Sequence, residues 1–396
     1  MELKFEEELQ LLDSEELHRR ISRIIPGLGA ADADALLVSD NANIFYLTGR
    51  VFCGWVYLTA AGDVHYYLRR PNHLRSSAAT AVRKPEEIAE DIKSRFGAPR
   101  NLALEENSLA VADARRLRAC LGGTADGSAA LRAARAVKTA REIDLMRRSG
   151  IAQTEVYNTI PHLYREGMSD IELQIEIERA LRLHGCLGQF RVAGPSMELF
   201  MGNVLTGENA DTPSPYDFAM GGAGLHPSLP VGADGTIIKP GLPVMVDMNG
   251  DFTGYMTDMT RCYCLGEPKP EAVRLNELSR NICEAVAAAA RPGAAARDLY
   301  DLALGMARDA GVEENFMGHR YHAGFVGHGI GIEVNEAPVL APRSRDVLQA
   351  GMTFACEPKF VVPGLGAVGV ENTYVVRESG PAEAITLAPE NIQNLR

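Results

Sequence analysis

The stretch that most constrains the fold of this chain is residues 243–250, where apolar residues run almost unbroken up to Asp247. Such a run predicts a buried strand, and a buried ionised carboxylate is costly unless it is paired or holds a metal. The dipeptide Asn249-Gly250 predicts a tight hairpin turn immediately afterwards. Asp258 on the return strand then has the same parity as Asp247, so both carboxylates are expected on one face of the sheet.

The predicted turn leaves the two aspartates far apart along the ladder. A straight pair of strands would separate Asp247 and Asp258 by roughly 20 Å, at about 3.3 Å per residue. They meet only if the return strand bends or bulges, and Gly254 is the expected place for this. The spacing permits an aspartate pair without establishing one.

A second predicted hairpin brings two glutamates together without such a bend. Residues 351–357 predict a strand that ends in Glu357, residues 363–366 predict a turn, and residues 367–376 predict the return strand. A hairpin centred on Gly364 places Glu357 opposite Glu371, where like charges are destabilising. Two carboxylates at this distance share a proton or bind a cation.

His328 adds an imidazole to these acids, because the glycines in residues 327–331 leave space for close approach. Taken singly, an acid near a strand end is usually exposed, and a histidine between glycines is more often a loop residue than a ligand. Together, four carboxylates and one imidazole suit divalent metals such as Mn, Co, Fe or Zn. The candidate ligands are Asp247, Asp258, His328, Glu357 and Glu371.

The sequence blocks around these five residues resemble the pita-bread metallopeptidases, which include Xaa-Pro aminopeptidases, prolidases and methionine aminopeptidases. In chain order the five residues match the metal ligands of that family. The resemblance implies two divalent ions: Asp247 binds one, Asp258 and Glu371 bridge both, and His328 and Glu357 complete the other site. It also implies that Glu357 acts as a general base while an activated water attacks the substrate carbonyl.

The resemblance also implies a two-domain fold. Residues 134–396 are expected to form the α+β pita-bread catalytic domain. Residues 1–133 are expected to form an α/β domain of the creatinase/prolidase type, because strands and helices alternate there and residues 43–49 resemble that domain. Relatives place the N-terminal domain of one chain near the cleft of another, which implies a homodimer.

Several positions near the expected ligands depart from the family pattern. Relatives use a histidine upstream of the first metal aspartate to hold the substrate, but Val231 stands at the matching place, and His226 could substitute only if its loop folds back. Asn335 replaces a second histidine, Gly369 replaces an arginine, and Asn372 replaces an aspartate. The candidate catalytic residues are Glu357, His226 and Asn335.

The composition of the chain excludes some partners. The net charge of −12 argues against nucleic acid or an anionic membrane as a partner. The acidic N-terminus and the lack of a long apolar run predict neither a signal peptide nor a membrane span. The seven cysteines are odd in number and show no CxxC spacing, so a reducing compartment, the cytoplasm, is expected.

The function expected from this resemblance is metal-dependent hydrolysis of small peptides by an Xaa-Pro dipeptidase or aminopeptidase. One alternative is a non-peptidase hydrolase or lyase on the same fold, with altered surroundings of the metal. A methionine aminopeptidase usually lacks an N-terminal domain of this size. A catalytically inactive interaction module would be free to lose ligands, whereas this chain retains all five.

Overall fold

The computed structural model describes residues 7–194, 201–216 and 221–396. The chain divides into two units, Met1–Arg135 and Ala136–Arg396. The predicted domains, residues 1–133 and 134–396, end close to this division, and their independent folding stays a prediction. Within the described ranges, every helix is too short or too polar to cross a bilayer.

The N-terminal unit alternates helices and strands, as predicted for an α/β domain. In chain order its elements are α1 (Ser14–Ala30), β1 (Ala35–Val38), α2 (Asn41–Thr48), β2 (Cys53–Thr59), β3 (Val64–Arg70), β4 (Ala79–Ala81), α3 (Pro85–Arg95), β5 (Leu102–Leu104), α4 (Val111–Leu121), β6 (Ala125–Asp126) and α5 (Ser128–Ala136). The strands form one mixed sheet in the order β4-β3-β2-β1-β5-β6. Leu37, Tyr67 and Ile92 lie in its apolar core.

The described part of the C-terminal unit contains four α-helices and most of the strands. Its elements are α6 (Ala140–Tyr157), α7 (Asp170–Leu183), β7 (Gly202–Thr206), β8 (Pro243–Asp251), β9 (Met256–Leu265), α8 (Pro270–Ala289), α9 (Ala296–Asp309), β10 (Gly327–Gly329), β11 (Glu336–Leu340), β12 (Thr353–Cys356), β13 (Lys359–Val362), β14 (Gly366–Gly369), β15 (Asn372–Val375), β16 (Glu383–Ala384) and β17 (Gln393–Leu395). The strand orders are β17-β9-β8-β7, β11-β10-β12-β15-β16 and the hairpin β13-β14.

Helices cover these strands on two sides, as in the expected pita-bread arrangement. Tyr157 of α6 and Ile177 of α7 belong to one apolar cluster with Val246 of β8. Ile282 of α8 belongs to a second cluster, together with Met245 of β8. Because side chains alternate along a strand, Asp247 faces the same side as Met245.

The hairpin of β8 and β9 differs from the one predicted. The strands turn at residues 252–255, so the prediction of a turn at Asn249-Gly250 is wrong, and no bend of the return strand at Gly254 is needed. The register pairs Asn249 with Asp258 and Asp247 with Thr260. The two aspartates are therefore diagonal neighbours on one face, roughly 7 Å apart.

Hydrogen bonds explain why Asn249 continues the strand. Its backbone N–H donates to the carbonyl of Met201 at 2.7 Å, and its side-chain amide donates to the carbonyl of Gln189 at 2.8 Å. The turn itself uses Gly254, which has a φ of 85° and donates its N–H to the Asp251 carboxylate at 2.8 Å. A neighbouring strand and loop therefore override the local turn preference.

Gly250 allows α6 to pack closely against β8. Gly250→Ala is therefore expected to destabilise the protein by about 1–3 kcal/mol. An added Cβ would lie 2.7 Å from the amide of Gln153. That amide cannot easily move, because it donates to the Met248 carbonyl and accepts from the Thr257 hydroxyl. The measurement is chemical denaturation. The matched control is Gly305→Ala in α9, where nothing lies within 4 Å of the added atom. That change should stabilise the protein slightly. Equal effects of the two changes would contradict the packing role of Gly250.

Candidate metal centre

Glu357 and Glu371 lie at matching positions between two antiparallel strand pairs that have the predicted register. Cys356 pairs with Asn372 on one side of them, and Lys359 pairs with Gly369 on the other. Both glutamates are buried, with exposed fractions of 3% and 1%. Two facing carboxylates with so little access to water need a shared proton or positive charge nearby.

His328 lies on β10 and points its Nε2 atom at these acids. Its Nδ1–H donates to the Gly329 carbonyl at 3.2 Å, which leaves Nε2 at 3.3 Å from Glu357 Oε1. The flanking glycines allow the neighbouring strands to pair closely with β10. A Cβ at Gly327 would lie only 2.3 Å from the Ala355 carbonyl oxygen. They do not provide the access to the imidazole that the sequence suggested.

The five candidate ligands form two groups that share Glu371. One group is Asp258, His328 and Glu371, and the other is Asp247, Glu357 and Glu371. Within each group the possible ligand atoms lie within 4.8 Å of one another. This spacing suits one cation per group at ligand distances of about 2.0–2.6 Å. The ligand role of each residue stays a prediction.

The Lys359 ammonium lies among the carboxylates of the second group. This position was not predicted from the sequence. Its Nζ atom lies 2.6 Å from Asp247 Oδ2, 2.6 Å from Glu357 Oε2 and 3.4 Å from Glu371 Oε2. The side chain is 0% exposed. The available signal was its position two residues after Glu357, which places both side chains on one face of the strand.

The electrostatics divide the carboxylates into two kinds. Burial alone would raise the pKa of Glu357, but Lys359 and His328 lower it to about 2. Burial, together with Asp247, raises the pKa of Asp258 to about 7. Burial also raises the pKa of Glu371 well above its usual range, against the opposing effect of Lys359. Asp258 and Glu371 therefore lack sufficient positive charge around them.

The first group therefore fits a divalent ion. Glu371 Oε1 is buried and has no hydrogen-bond partner within the described ranges. An imidazole nitrogen and two carboxylates are a suitable ligand set for Zn, Mn, Co or Fe. A cation bound by Asp258, His328 and Glu371 would satisfy this oxygen and compensate both acids.

Residues next to the candidate ligands hold them in place. The Thr260 hydroxyl donates to Glu371 Oε2 at 2.6 Å, and the Glu371 N–H donates to the Thr260 carbonyl at 3.1 Å. Arg261 donates to the Glu371 carbonyl at 2.7 Å. The Thr373 hydroxyl accepts from the Asp258 N–H at 2.8 Å and donates to the Asp258 carbonyl at 2.9 Å. Such partners orient ligands and tune their affinity for metal.

His226 lies apart from the five candidate ligands in its contacts. Its side chain is exposed, and its Nδ1 accepts from the Ser228 N–H at 3.1 Å. Together with Val231 it lines a cleft whose wall contains none of the five ligands. A catalytic role for His226 stays a prediction that these contacts do not support.

Asn335 holds the loop segment around Ala193 by two hydrogen bonds. Asn335→Asp is therefore expected to speed hydrogen exchange at the Ala193 amide roughly tenfold. The asparagine accepts from the Ala193 N–H at 2.7 Å and donates to the Ala193 carbonyl at 3.0 Å. The aspartate replaces the donor by an acceptor facing that carbonyl, which costs about 1–3 kcal/mol. Mass spectrometry of exchanged peptides measures the effect. The exposed Asn391→Asp is the control, and unchanged exchange in Asn335→Asp would contradict this role.

A largely buried cluster of carboxylates with one imidazole, on the strands of a pita-bread fold, is the arrangement expected of a metallopeptidase. Residues 144–378 match the model of metallopeptidase family M24. Residues 20–137 match the creatinase/prolidase N-terminal domain. Because the first match spans more than half of the chain, the chain belongs to metallopeptidase family M24.

Known relatives agree with this membership. An Xaa-Pro dipeptidase from Lactobacillus delbrueckii subsp. lactis is 30% identical over 74% of this chain and 72% of its own length. An Xaa-Pro dipeptidase structure from Bacillus anthracis has a TM-score of 0.79 at 22% identity, and covers 96% of this chain and 100% of that chain. The N-terminal domain of the FACT complex subunit SPT16 from Cicer arietinum shares the fold at 14% identity, with a TM-score of 0.70 over 96% of this chain and 98% of that chain. The fold by itself therefore does not define an activity.

Proposed function

We propose that this chain is a metal-dependent Xaa-Pro dipeptidase or aminopeptidase, which releases the residue before a proline. The observation that carries the proposal is the buried group of Asp258, His328 and Glu371, which fits a divalent ion. The match to the creatinase/prolidase N-terminal domain and the Xaa-Pro dipeptidase among the relatives support the substrate class.

The metal part of the proposal concerns the two ligand groups. Asp258, His328 and Glu371 would hold an ion of Mn, Co, Zn or Fe. A bound divalent ion polarises the substrate carbonyl and makes a water more acidic. The resemblance implies a second ion, bound by Asp247 together with the bridging Asp258 and Glu371. The Lys359 ammonium lies 2.6 Å from Asp247 and 2.6 Å from Glu357.

Glu357 is the proposed general base. The neighbouring Lys359 and His328 keep its carboxylate ionised, so it can accept a proton from water and later return it to the leaving amine. Asn335 cannot take this role, since a side-chain amide does not titrate near neutral pH. Its contacts with Ala193 also indicate a different task.

The proposal includes a homodimer and a cytoplasmic location. The seven cysteines of the chain are all free, which supports a reducing compartment. The dimer is implied by the resemblance to relatives that place the N-terminal domain of one chain near the cleft of another. Light scattering measures the assembly, and a monomer would contradict the dimer.

A peptide panel tests the activity. The protein, treated with chelator and reloaded with Mn²⁺ or Co²⁺, should cleave Xaa-Pro dipeptides or longer peptides with proline in the second position. Matched peptides with alanine in place of proline should be cleaved more slowly. The chelated protein should cleave neither set. A protein that binds metal and cleaves none of these peptides would point to a different reaction on the same site.

A further inference from the structure

One of the two ligand groups already contains a cation supplied by the chain itself. The Lys359 ammonium lies among oxygens of Asp247, Glu357 and Glu371, at 2.6, 2.6 and 3.4 Å. These three residues are the second group of possible metal ligands. A lysine ammonium has three donors and no acceptor, so the three carboxylates match its hydrogen-bonding capacity.

The charge of the cluster does not by itself decide between one and two ions, so the position of the ammonium carries the argument. The cluster contains the carboxylates of Asp247, Asp258, Glu357 and Glu371. The ammonium and one divalent ion supply three positive charges against these four negative charges. The ammonium and two divalent ions would supply five, and a bound cation is often the largest local charge in a site.

The opposite strand is built to accommodate this lysine. Gly369 pairs directly with Lys359, and a Cβ at Gly369 would lie 2.7 Å from Lys359 Cγ. The aliphatic part of Lys359 therefore lies where a side chain at position 369 would be. The Lys359 side chain is 0% exposed. The ammonium therefore cannot leave the three carboxylates for water unless the surrounding core rearranges.

We propose that Lys359 permanently replaces one metal ion, so that the protein binds a single divalent ion, at Asp258, His328 and Glu371. The inference rests on the proposed function for its premise that a divalent ion binds. It differs from the two-ion centre that the resemblance implies. Lys359 would neutralise and position Asp247 and Glu357 in place of that second ion.

The number of ions bound by the wild-type protein is the first test. Equilibrium dialysis of the full chain against Mn²⁺ should give one ion per chain, and electron paramagnetic resonance should show the spectrum of an isolated ion. Two ions per chain with a spin-coupled spectrum would overturn the inference and leave the proposed function intact. A chain that binds no Mn²⁺ would overturn both.

Two aspartate variants show which group holds the ion. Asp258→Asn should weaken Mn²⁺ binding at least about 10-fold, the smallest loss seen when even a partner of a ligand is removed. Asp247→Asn should still bind one ion, because Asp247 belongs only to the group that Lys359 fills. Weaker Mn²⁺ binding by Asp247→Asn than by Asp258→Asn would overturn the inference. Both measurements are independent of peptidase activity.

Removal of the lysine is the third test. Lys359→Gly should bind two Mn²⁺ ions per chain and show a coupled pair. The control is Lys138→Met, which removes another buried lysine, paired with Glu336 at 2.8 Å, and should still bind one ion. A folded Lys359→Gly protein that binds one ion would overturn the inference. If Lys359→Gly does not fold, the stoichiometry of the wild-type protein and the two aspartate variants decide.

Discussion

Glu357→Gln is expected to lower the turnover number on Xaa-Pro peptides by about 10²–10⁴-fold, the usual contribution of general acid–base catalysis. The change keeps the shape of the side chain and removes its negative charge. It also leaves the Lys359 ammonium, now 2.6 Å from a neutral amide, with less compensation. Initial rates at saturating substrate, on metal-loaded protein, measure the effect.

Glu378→Gln is the matched control for this experiment, because Glu378 is exposed in the same unit. That variant should retain the wild-type rate. Circular dichroism and the amount of bound Mn²⁺ separate a lost base from a lost fold or a lost ion. Full activity of a folded Glu357→Gln protein would remove Glu357 from the mechanism.

Arg261→Met is expected to lower the free energy of unfolding by about 3–5 kcal/mol, because it removes a charged donor that serves several buried acceptors. Arg261 is 0% exposed and donates five hydrogen bonds. They reach the carbonyls of Thr260, Glu371 and Ala388 and the side chain of Asn372. Methionine would fill the volume and remove the charged donor from these buried acceptors. The Thr260 carbonyl would still accept from the Glu371 N–H, and the Asn372 side-chain oxygen would still accept from the Thr386 hydroxyl.

Urea denaturation measures this loss. Arg297→Met is the control, because Arg297 is exposed and pairs only locally with Asp298; its effect should stay within about 0.5 kcal/mol. Arg261→Lys keeps the charge but not the five donors, so it should fall between wild type and Arg261→Met. Equal stability of Arg261→Met and Arg297→Met would show that the network is not needed.

The second hairpin could be predicted from the sequence because the residues that determine its turn lie next to one another in the chain. The predicted turn at residues 363–366 contains two glycines, and a hairpin centred on Gly364 has the register that the two strand pairs show. The order of the acids and the histidine then led to the family. The two-unit fold followed from that resemblance together with the alternation of elements in the first part of the chain.

The first hairpin was predicted wrongly because its turn depends on distant contacts. Asn249-Gly250 is a strong local turn signal. In the structure Asn249 bonds to Met201 and Gln189, and Gly250 packs on Gln153. These partners lie about 50 to 100 residues away in the chain, so no short-range rule includes them.

Lys359 was missed for a related reason. A lysine beside a strand is normally exposed, and the strand face that it shares with Glu357 does not by itself predict burial. Its burial appears only when Asp247, more than 100 residues earlier, and Glu371 meet it in the folded chain. Convergence of this kind is a property of the tertiary structure.

The pairing of Lys359 with Gly369 makes these two positions mutually dependent in evolution. A side chain at 369 would meet the lysine at 2.7 Å, so any larger residue there is tolerated only after position 359 has become smaller. The relatives that often carry arginine at the matching position therefore cannot be reached from this chain by one viable substitution. A path between the two forms first needs a smaller residue at position 359 while position 369 is still glycine.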